Sequence, residues 1–95
     1  MTRVEGDALV VEGALTLATV PALAGAARDH LRQGARVVDL RGVTQVDSSA
    51  IALALEWLRQ AAEGGSSLRF ANLPVAMQNL AKLYGVSELL RPAST

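Results

Sequence analysis

The residues best suited to chemistry are Asp47, Ser48 and Ser49, which stand between an apolar run and an apolar helical pattern. A carboxylate and a hydroxyl at the start of a helix lie beside unpaired backbone N–H groups and the positive end of the helix dipole. Such a position can bind or carry an anion, for example a phosphoryl group. The same residues also form an ordinary helix cap. Their spacing leaves both interpretations open.

Other arrangements for catalysis or metal binding have little support in the sequence. A hydrolytic triad needs a serine, a histidine and an acid, but the sole histidine, His30, falls in another helical segment and is expected to be a solvated surface residue. The chain has no cysteine, which excludes thiolate ligands and cysteine nucleophiles. Gly64 and Gly65 follow a helix, whereas a phosphate-binding loop precedes one. We therefore expect no catalytic residue, no metal and no cofactor.

The composition is that of one folded domain over residues 1–95. Hydrophobic residues make up 51% of the chain, and nine basic residues balance nine acidic ones, so no net charge favours nucleic acid or a membrane surface. No apolar run approaches the roughly 20 residues of a membrane span, and the first residues do not resemble a secretory signal. These properties predict a cytoplasmic location.

Glycine and proline divide the chain into alternating strands and helices. Strands are predicted at residues 3–5, 8–12, 35–40 and 67–71, and the residues after 40 are predicted to form a short polar loop that ends in Asp47-Ser48-Ser49. One helix is capped by Thr19, has Pro21 in its first turn and ends at Gly34, and the others cover residues 49–63 and 75–84. A short helical or turn segment at 87–90 precedes a polar tail at 91–95. The order ββαβαβα predicts a small α/β sandwich with a mixed, mostly parallel sheet.

The second helix has an apolar face with the 3.6-residue period of a helix packed on a core. Its predicted members are Ile51, Ala54, Leu55, Leu58, Ala61 and Ala62. Leu53 and Trp57, four residues apart, are predicted to lie on the flank of that face. Trp57 is then either partly buried against a neighbouring loop or an exposed anchor for a partner, because tryptophan is enriched at interface hot spots.

Residues 38–51 (Val-Asp-Leu-Arg-Gly-Val-Thr-Gln-Val-Asp-Ser-Ser-Ala-Ile) resemble the signature of STAS domains, the fold of anti-sigma-factor antagonists and sulfate-transporter tails. The family pattern is an apolar strand, a short loop, and then an acid, a Ser or Thr, a small residue and usually a glycine. In the antagonists a partner kinase phosphorylates the Ser or Thr after the acid, and that position corresponds to Ser48. Asp47 matches the acid, and Ala50 replaces the usual glycine. The resemblance covers almost the whole chain and agrees with the predicted order of elements.

The segment 80–86 (Leu-Ala-Lys-Leu-Tyr-Gly-Val) is similar to that of the MlaB group of stand-alone STAS subunits. Members of this group bind the cytoplasmic ATPase, MlaF, of an ABC complex that moves phospholipids between two membranes and maintains outer-membrane lipid asymmetry. Acidic residues common in the antagonists after the early strand are absent from the stretch Gly13-Ala14-Leu15-Thr16. This difference favours the transporter subunit over a sigma-factor switch.

The resemblance implies a non-catalytic subunit that binds and regulates or stabilises an MlaF-like ATPase. Contact with the permease is then indirect, and the protein associates with the inner membrane through the complex. The residues expected to contact the partner are Asp47, Ser48, Ser49, Ala52, Leu53, Glu56 and Trp57. The alternative function is an anti-sigma-factor antagonist that is switched by phosphorylation at Ser48.

Overall fold

The structure is a computed structural model that describes residues 2–90, and its elements follow the order expected from the sequence. The strands are β1 (Thr2–Glu5), β2 (Ala8–Leu15), β3 (Val37–Val46) and β4 (Arg69–Ala71). The helices are α1 (Val20–Arg32), α2 (Ser48–Glu63) and α3 (Val75–Leu83), followed by a short 3₁₀ helix, Ser87–Leu89. The predicted tail at 91–95 lies outside the described residues. Within 2–90, no helix has both the length and the apolar character needed to cross a bilayer.

The four strands form one mixed sheet in the order β1-β2-β3-β4. The β1–β2 hairpin is antiparallel, whereas β2–β3 and β3–β4 are parallel pairs joined through α1 and α2. This arrangement confirms the predicted mixed, mostly parallel sheet. Each parallel pair is connected by a helix, as parallel neighbours require.

The hydrophobic core lies between one face of the sheet and the three helices. Alternate strand residues point into it, since successive side chains of a strand face opposite sides. These residues are Leu9, Val11, Leu15, Val38, Leu40 and Phe70. On α1, the predicted stripe of Leu23, Ala27 and Leu31 is buried against them and is confirmed.

The other face of the sheet carries charged side chains that pair with one another. Glu5 bonds to Arg3 and to Arg41, and Arg3 also bonds to Glu12. The bonds from Arg41 and Arg3 lower the pKa of the Glu5 carboxyl below its ordinary value. Asp39, which is 9% exposed, accepts hydrogen bonds from the Arg41 amide and the Asn72 side chain, both at 2.9 Å. This face is therefore covered by its own ion pairs.

The predicted polar loop after residue 40 is wrong, because residues 41–46 continue β3 as far as Val46. β2 likewise runs past Gly13 to Leu15, and the two extensions pair from Glu12 with Gly42 to Leu15 with Val46. The ladder contains two register shifts, and Gly13 has a φ of +95°. A glycine tolerates that conformation. Gly13 therefore introduces an irregularity into β2 at the point where the sequence predicted the strand to end.

Thr19 precedes α1 as predicted, but its hydroxyl does not cap the helix. The hydroxyl donates to the Ala14 carbonyl at 2.8 Å and accepts from the Thr16 amide at 3.0 Å. Thr19 therefore closes the turn between β2 and α1. That turn ends beside the start of α2.

Candidate functional site

Asp47 is the N-cap of α2, which confirms the capping interpretation. Its backbone is extended, and its carboxylate Oδ1 accepts the Ser49 amide at 2.8 Å. Its carbonyl accepts the Ala50 amide at 3.0 Å. Two N–H groups of the first turn thus have partners within the chain, which reduces the number left for an external anion.

The second oxygen of the same carboxylate reaches another loop. Oδ2 of Asp47 accepts the Leu17 amide at 3.0 Å, and the Asp47 amide donates to the Leu15 carbonyl at 3.2 Å. The Leu17 bond, followed by the bonds from Ser49, lowers the pKa of Asp47 below its ordinary value although partial desolvation opposes this. Both oxygens are engaged internally, so Asp47 positions the site and does not offer its carboxylate outward.

Ser48 is the first residue of α2, and its side chain is exposed. Ser49 is half-buried, whereas Ala52, one turn after Ser48, is exposed. Residues four apart lie on the same face of a helix, so Ser48 and Ala52 form a ridge of small side chains. A partner backbone can approach such a ridge closely.

Leu17 was not identified from the sequence, but its amide lies next to Asp47, the residue before Ser48. Its side chain is 76% exposed although the residue is large and apolar, and its amide is held by Asp47. One sequence signal could have identified Leu17. It is a large apolar residue between a strand and a helix, and it belongs to the apolar pattern of neither. We define the Ser48 surface as Leu17, Ser48 and Ala52.

Two predicted contact residues lie in the core. Leu53 is 1% exposed and Trp57 is 0% exposed, so both belong to the buried face of α2 and not to its flank. The interpretation of Trp57 as an exposed anchor is therefore wrong. The buried face of α2 is centred on Ala54 and Trp57, whereas Leu58 is half-buried and Ala62 is exposed. The sheet and α1 both pack on α2, which widens and rotates its buried face relative to the periodic pattern.

Glu56 is half-buried and belongs to a row of charges along α2. Arg59 pairs with both Glu56 and Glu63, and Glu63 also pairs with Arg32 of α1 at 2.9 Å. The bond from Arg59 lowers the pKa of Glu56 despite partial desolvation. The carboxylate of Glu56 also accepts Nε2 of Gln60 at 3.0 Å. Exposed pairs of this type contribute little to stability, and they border the Ser48 surface with both signs of charge.

His30 and Ser48 lie at opposite ends of the strands of the sheet. His30 is half-buried in the second half of α1 and lines a small cavity with Asp7, at the end where β3 begins. Ser48 follows the end of β3. Among residues 2–90, no group of three or more His, Cys, Asp or Glu side chains could hold a metal ion. The Ser48 surface combines a hydroxyl, small residues and an apolar side chain, and His30 is not part of it.

The comparisons with known structures agree on the fold. A crystal structure described as an anti-sigma-factor antagonist from Thermotoga maritima superposes with a TM-score of 0.76 and 13% sequence identity, covering 100% of this chain and 86% of the other. The anti-sigma-factor antagonist SpoIIAA in its unphosphorylated form superposes with a TM-score of 0.72 and 15% identity, covering 99% and 87%. These identities are low, so the likeness establishes the fold alone. No curated protein sequence matches the chain.

The comparison with protein families is more specific. The family described as "Mlab, STAS domain" matches residues 2–92, which include the strands and helices of the part of the chain that the structure describes and the whole Ser48 surface. The match agrees with the resemblance seen at residues 38–51 and 80–86. The chain belongs to the family of MlaB-type STAS domains.

Proposed function

We propose that this protein is a non-catalytic subunit that binds the ATPase of an ABC-type phospholipid transporter and regulates or stabilises it through the Ser48 surface. The observation that carries the proposal is the family match over residues 2–92. The protein acts in the cytoplasm and reaches the inner membrane through the transporter complex. Its contact with the permease is indirect.

The chemistry of the Ser48 surface supports binding to another protein. Leu17, whose amide is bonded to Asp47, exposes a large apolar side chain, and Ser48 and Ala52 expose small ones. Burying one such leucine contributes about 1.5–3 kcal/mol, and small neighbours let a partner pack closely around it. The carboxylate of Asp47 fixes the loop that holds Leu17 relative to the start of α2. Little conformational entropy is therefore lost on binding.

Regulation of an ATPase by such a subunit requires a difference in binding free energy between two states of the ATPase. A coupling of about 1–3 kcal/mol changes an equilibrium roughly 5–150-fold. The roughly 1.5–3 kcal/mol of one buried leucine supplies a coupling of this size when the contact forms in only one of the two states. No chemical step by the subunit is required.

A second candidate function is that of an anti-sigma-factor antagonist. Two observations favour it: the solved structures that resemble the chain carry that description, and the hydroxyl of Ser48 is exposed after a capping acid. A phosphoryl group on Ser48 adds about −1.5 to −2 charges at the start of α2. The Asp47 carboxylate is close by, so a phosphoryl group alters the electrostatics of the whole surface.

One experiment separates the two functions. The purified chain is mixed in turn with the MlaF-type ATPase of its own host and with the host's anti-sigma-factor kinases in the presence of ATP. The transporter role predicts a stable complex with the ATPase and a changed rate of ATP hydrolysis. The antagonist role predicts phosphorylation of Ser48, detected by mass spectrometry, and no complex with the ATPase.

A matched variant controls for non-specific effects. Ser48→Ala removes the phosphorylatable hydroxyl but keeps a small residue, so complex formation with the ATPase should persist. Phosphorylation should disappear from this variant. Binding of neither the ATPase nor a kinase would contradict both functions.

A further inference from the structure

Most of the exposed apolar side chains lie away from the Ser48 surface. Six large hydrophobic residues are exposed among residues 2–90, and four of them belong to α3, its C-cap or the 3₁₀ helix that follows. Leu83 is 75% exposed, Tyr84 52% and Leu89 53%. Single exposed leucines are ordinary, but three large apolar side chains within seven residues of the chain indicate an interaction site. We define the α3 patch as Lys82, Leu83, Tyr84, Glu88 and Leu89.

The α3 patch is distant from the Ser48 surface. Lys82 lines a cavity of about 590 Å³ with Phe70 and Ala71 of β4. Ala71 pairs with Asp39, seven residues before Val46 in β3, and seven strand residues span roughly 23 Å. The α3 patch is therefore a separate surface from the Ser48 surface.

Two charges of opposite sign border the apolar side chains. Lys82, the only lysine of the chain, precedes Leu83, and Glu88 precedes Leu89. Both are exposed. Within residues 2–90 neither takes part in an ion pair, whereas Glu5, Glu56 and Glu63 all do. The patch thus carries its own complementary charges.

We propose that the α3 patch binds a second copy of this chain across a twofold axis. In a twofold interface, residue i of one copy meets residue j of the other, and j meets i. Lys82 of each copy then pairs with Glu88 of the other, and the two ion pairs enclose Leu83, Tyr84 and Leu89 from both copies. The charge complementarity of the patch with itself is the argument for this occupant. The dimer interface uses no residue of the Ser48 surface.

The patch is small, so the dimer is weak. Interfaces that bury less than about 1,200 Å² are typical of transient encounters, and we expect a dissociation constant of roughly 10–1,000 µM. Sedimentation equilibrium on the purified chain, over a concentration range of about 10 µM to 1 mM, should show a monomer–dimer equilibrium. Such an association is consistent with a chain that is monomeric when dilute.

Charge exchange provides the decisive variants. Lys82→Glu and Glu88→Lys each create two like-charge contacts in a symmetric dimer, and each should weaken dimerisation about tenfold or more. The double variant restores opposite charges and should return the dissociation constant to within about threefold of the original. Leu83→Ser should also weaken the dimer, whereas Leu17→Ser, which removes an exposed leucine from the Ser48 surface, should not. All substituted side chains are exposed, and circular dichroism verifies that each variant is folded.

Several results would overturn the proposal. They are a monomer at every concentration, a double charge variant no better than the single ones, and a dimer lost in Leu17→Ser but kept in Leu83→Ser. The last result would place self-association at the Ser48 surface. A salt titration adds an independent readout, because exposed ion pairs weaken as ionic strength rises.

Discussion

The carboxylate of Asp47 and the backbone amide of Leu17 are 3.0 Å apart, a hydrogen bond across thirty positions of the chain. The same carboxylate caps α2 through Ser49. One side chain therefore fixes the start of the helix that presents Ser48 and the loop that presents Leu17. Asp47 is a positioning residue. An acid is needed before Ser48 to hold these two segments, although the acid takes part in no reaction.

Replacing Asp47 should loosen both segments. In Asp47→Ala the amides of Leu17 and Ser49 lose their acceptor, so the midpoint of urea unfolding should fall clearly. Asp47→Asn keeps one acceptor oxygen in place and should lose less. Equal midpoints for the original protein and Asp47→Ala would show that the two hydrogen bonds have no role in stability.

The contribution of Asp47 should also depend on pH. Its pKa in the folded chain is lower than the ordinary value of 3.8, chiefly because of the Leu17 amide. A lowered pKa means that the group stabilises the fold above pH 3.8 and that this stabilisation is lost as the pH falls through the folded-state pKa. The difference in stability between the original protein and Asp47→Asn should therefore be largest near neutral pH and shrink below about pH 4. A difference that grows on acidification would contradict this assignment.

The sequence predicted the order of elements and offered the Asp47 cap as one of two interpretations, because both depend on local signals. Proline and glycine mark the ends of helices, and the acid before an apolar run marks the start of α2. The continuation of β3 through residues 41–46 was not predictable in the same way. Its polar residues belong to a strand because β2 lies beside it, and the pairing partner is far away in the chain.

The burial of Trp57 was missed for a related reason. A helical wheel weighs the residues of one helix alone, and it placed Trp57 on the flank. In the fold, α2 contacts the sheet on one side and α1 and α3 on the others, so its buried face extends to Leu53 and Trp57. Leu17 was missed because an apolar residue in a loop belongs to no periodic pattern.

Trp57 should be important for stability. Trp57→Ala removes the largest fully buried side chain and should reduce the free energy of unfolding by about 3–5 kcal/mol, measured by urea denaturation. Trp57→Phe should cost less, because much of the ring remains and Nε1, which has no hydrogen-bond partner among the described residues, is removed. A fold as stable as the original after Trp57→Ala would show that the ring is not in the core.

Two glycines should respond in opposite directions to alanine. At Gly64 an added Cβ would lie 2.5 Å from the Arg32 carbonyl oxygen, so Gly64→Ala should destabilise the protein by about 1–3 kcal/mol through a forced shift of α1 against α2. At Gly25, inside α1, an added Cβ meets nothing within 4 Å, and Gly25→Ala should stabilise by about 0.5–1 kcal/mol. Thermal unfolding of both variants measures the effects. The same sign of change for both would contradict the packing of α1 on α2 described above.

The central claim is that the Ser48 surface binds the transporter ATPase, and isothermal titration of that ATPase with a charge variant tests it most directly. Ser48→Asp places a carboxylate that must be desolvated or paired on binding, whereas Ser67→Asp places the same charge on an exposed serine before β4. The account predicts that Ser48→Asp weakens binding about tenfold or more, which is about 1.4 kcal/mol, while Ser67→Asp binds like the original protein. An affinity left unchanged by Ser48→Asp, or reduced equally by both variants, would contradict it.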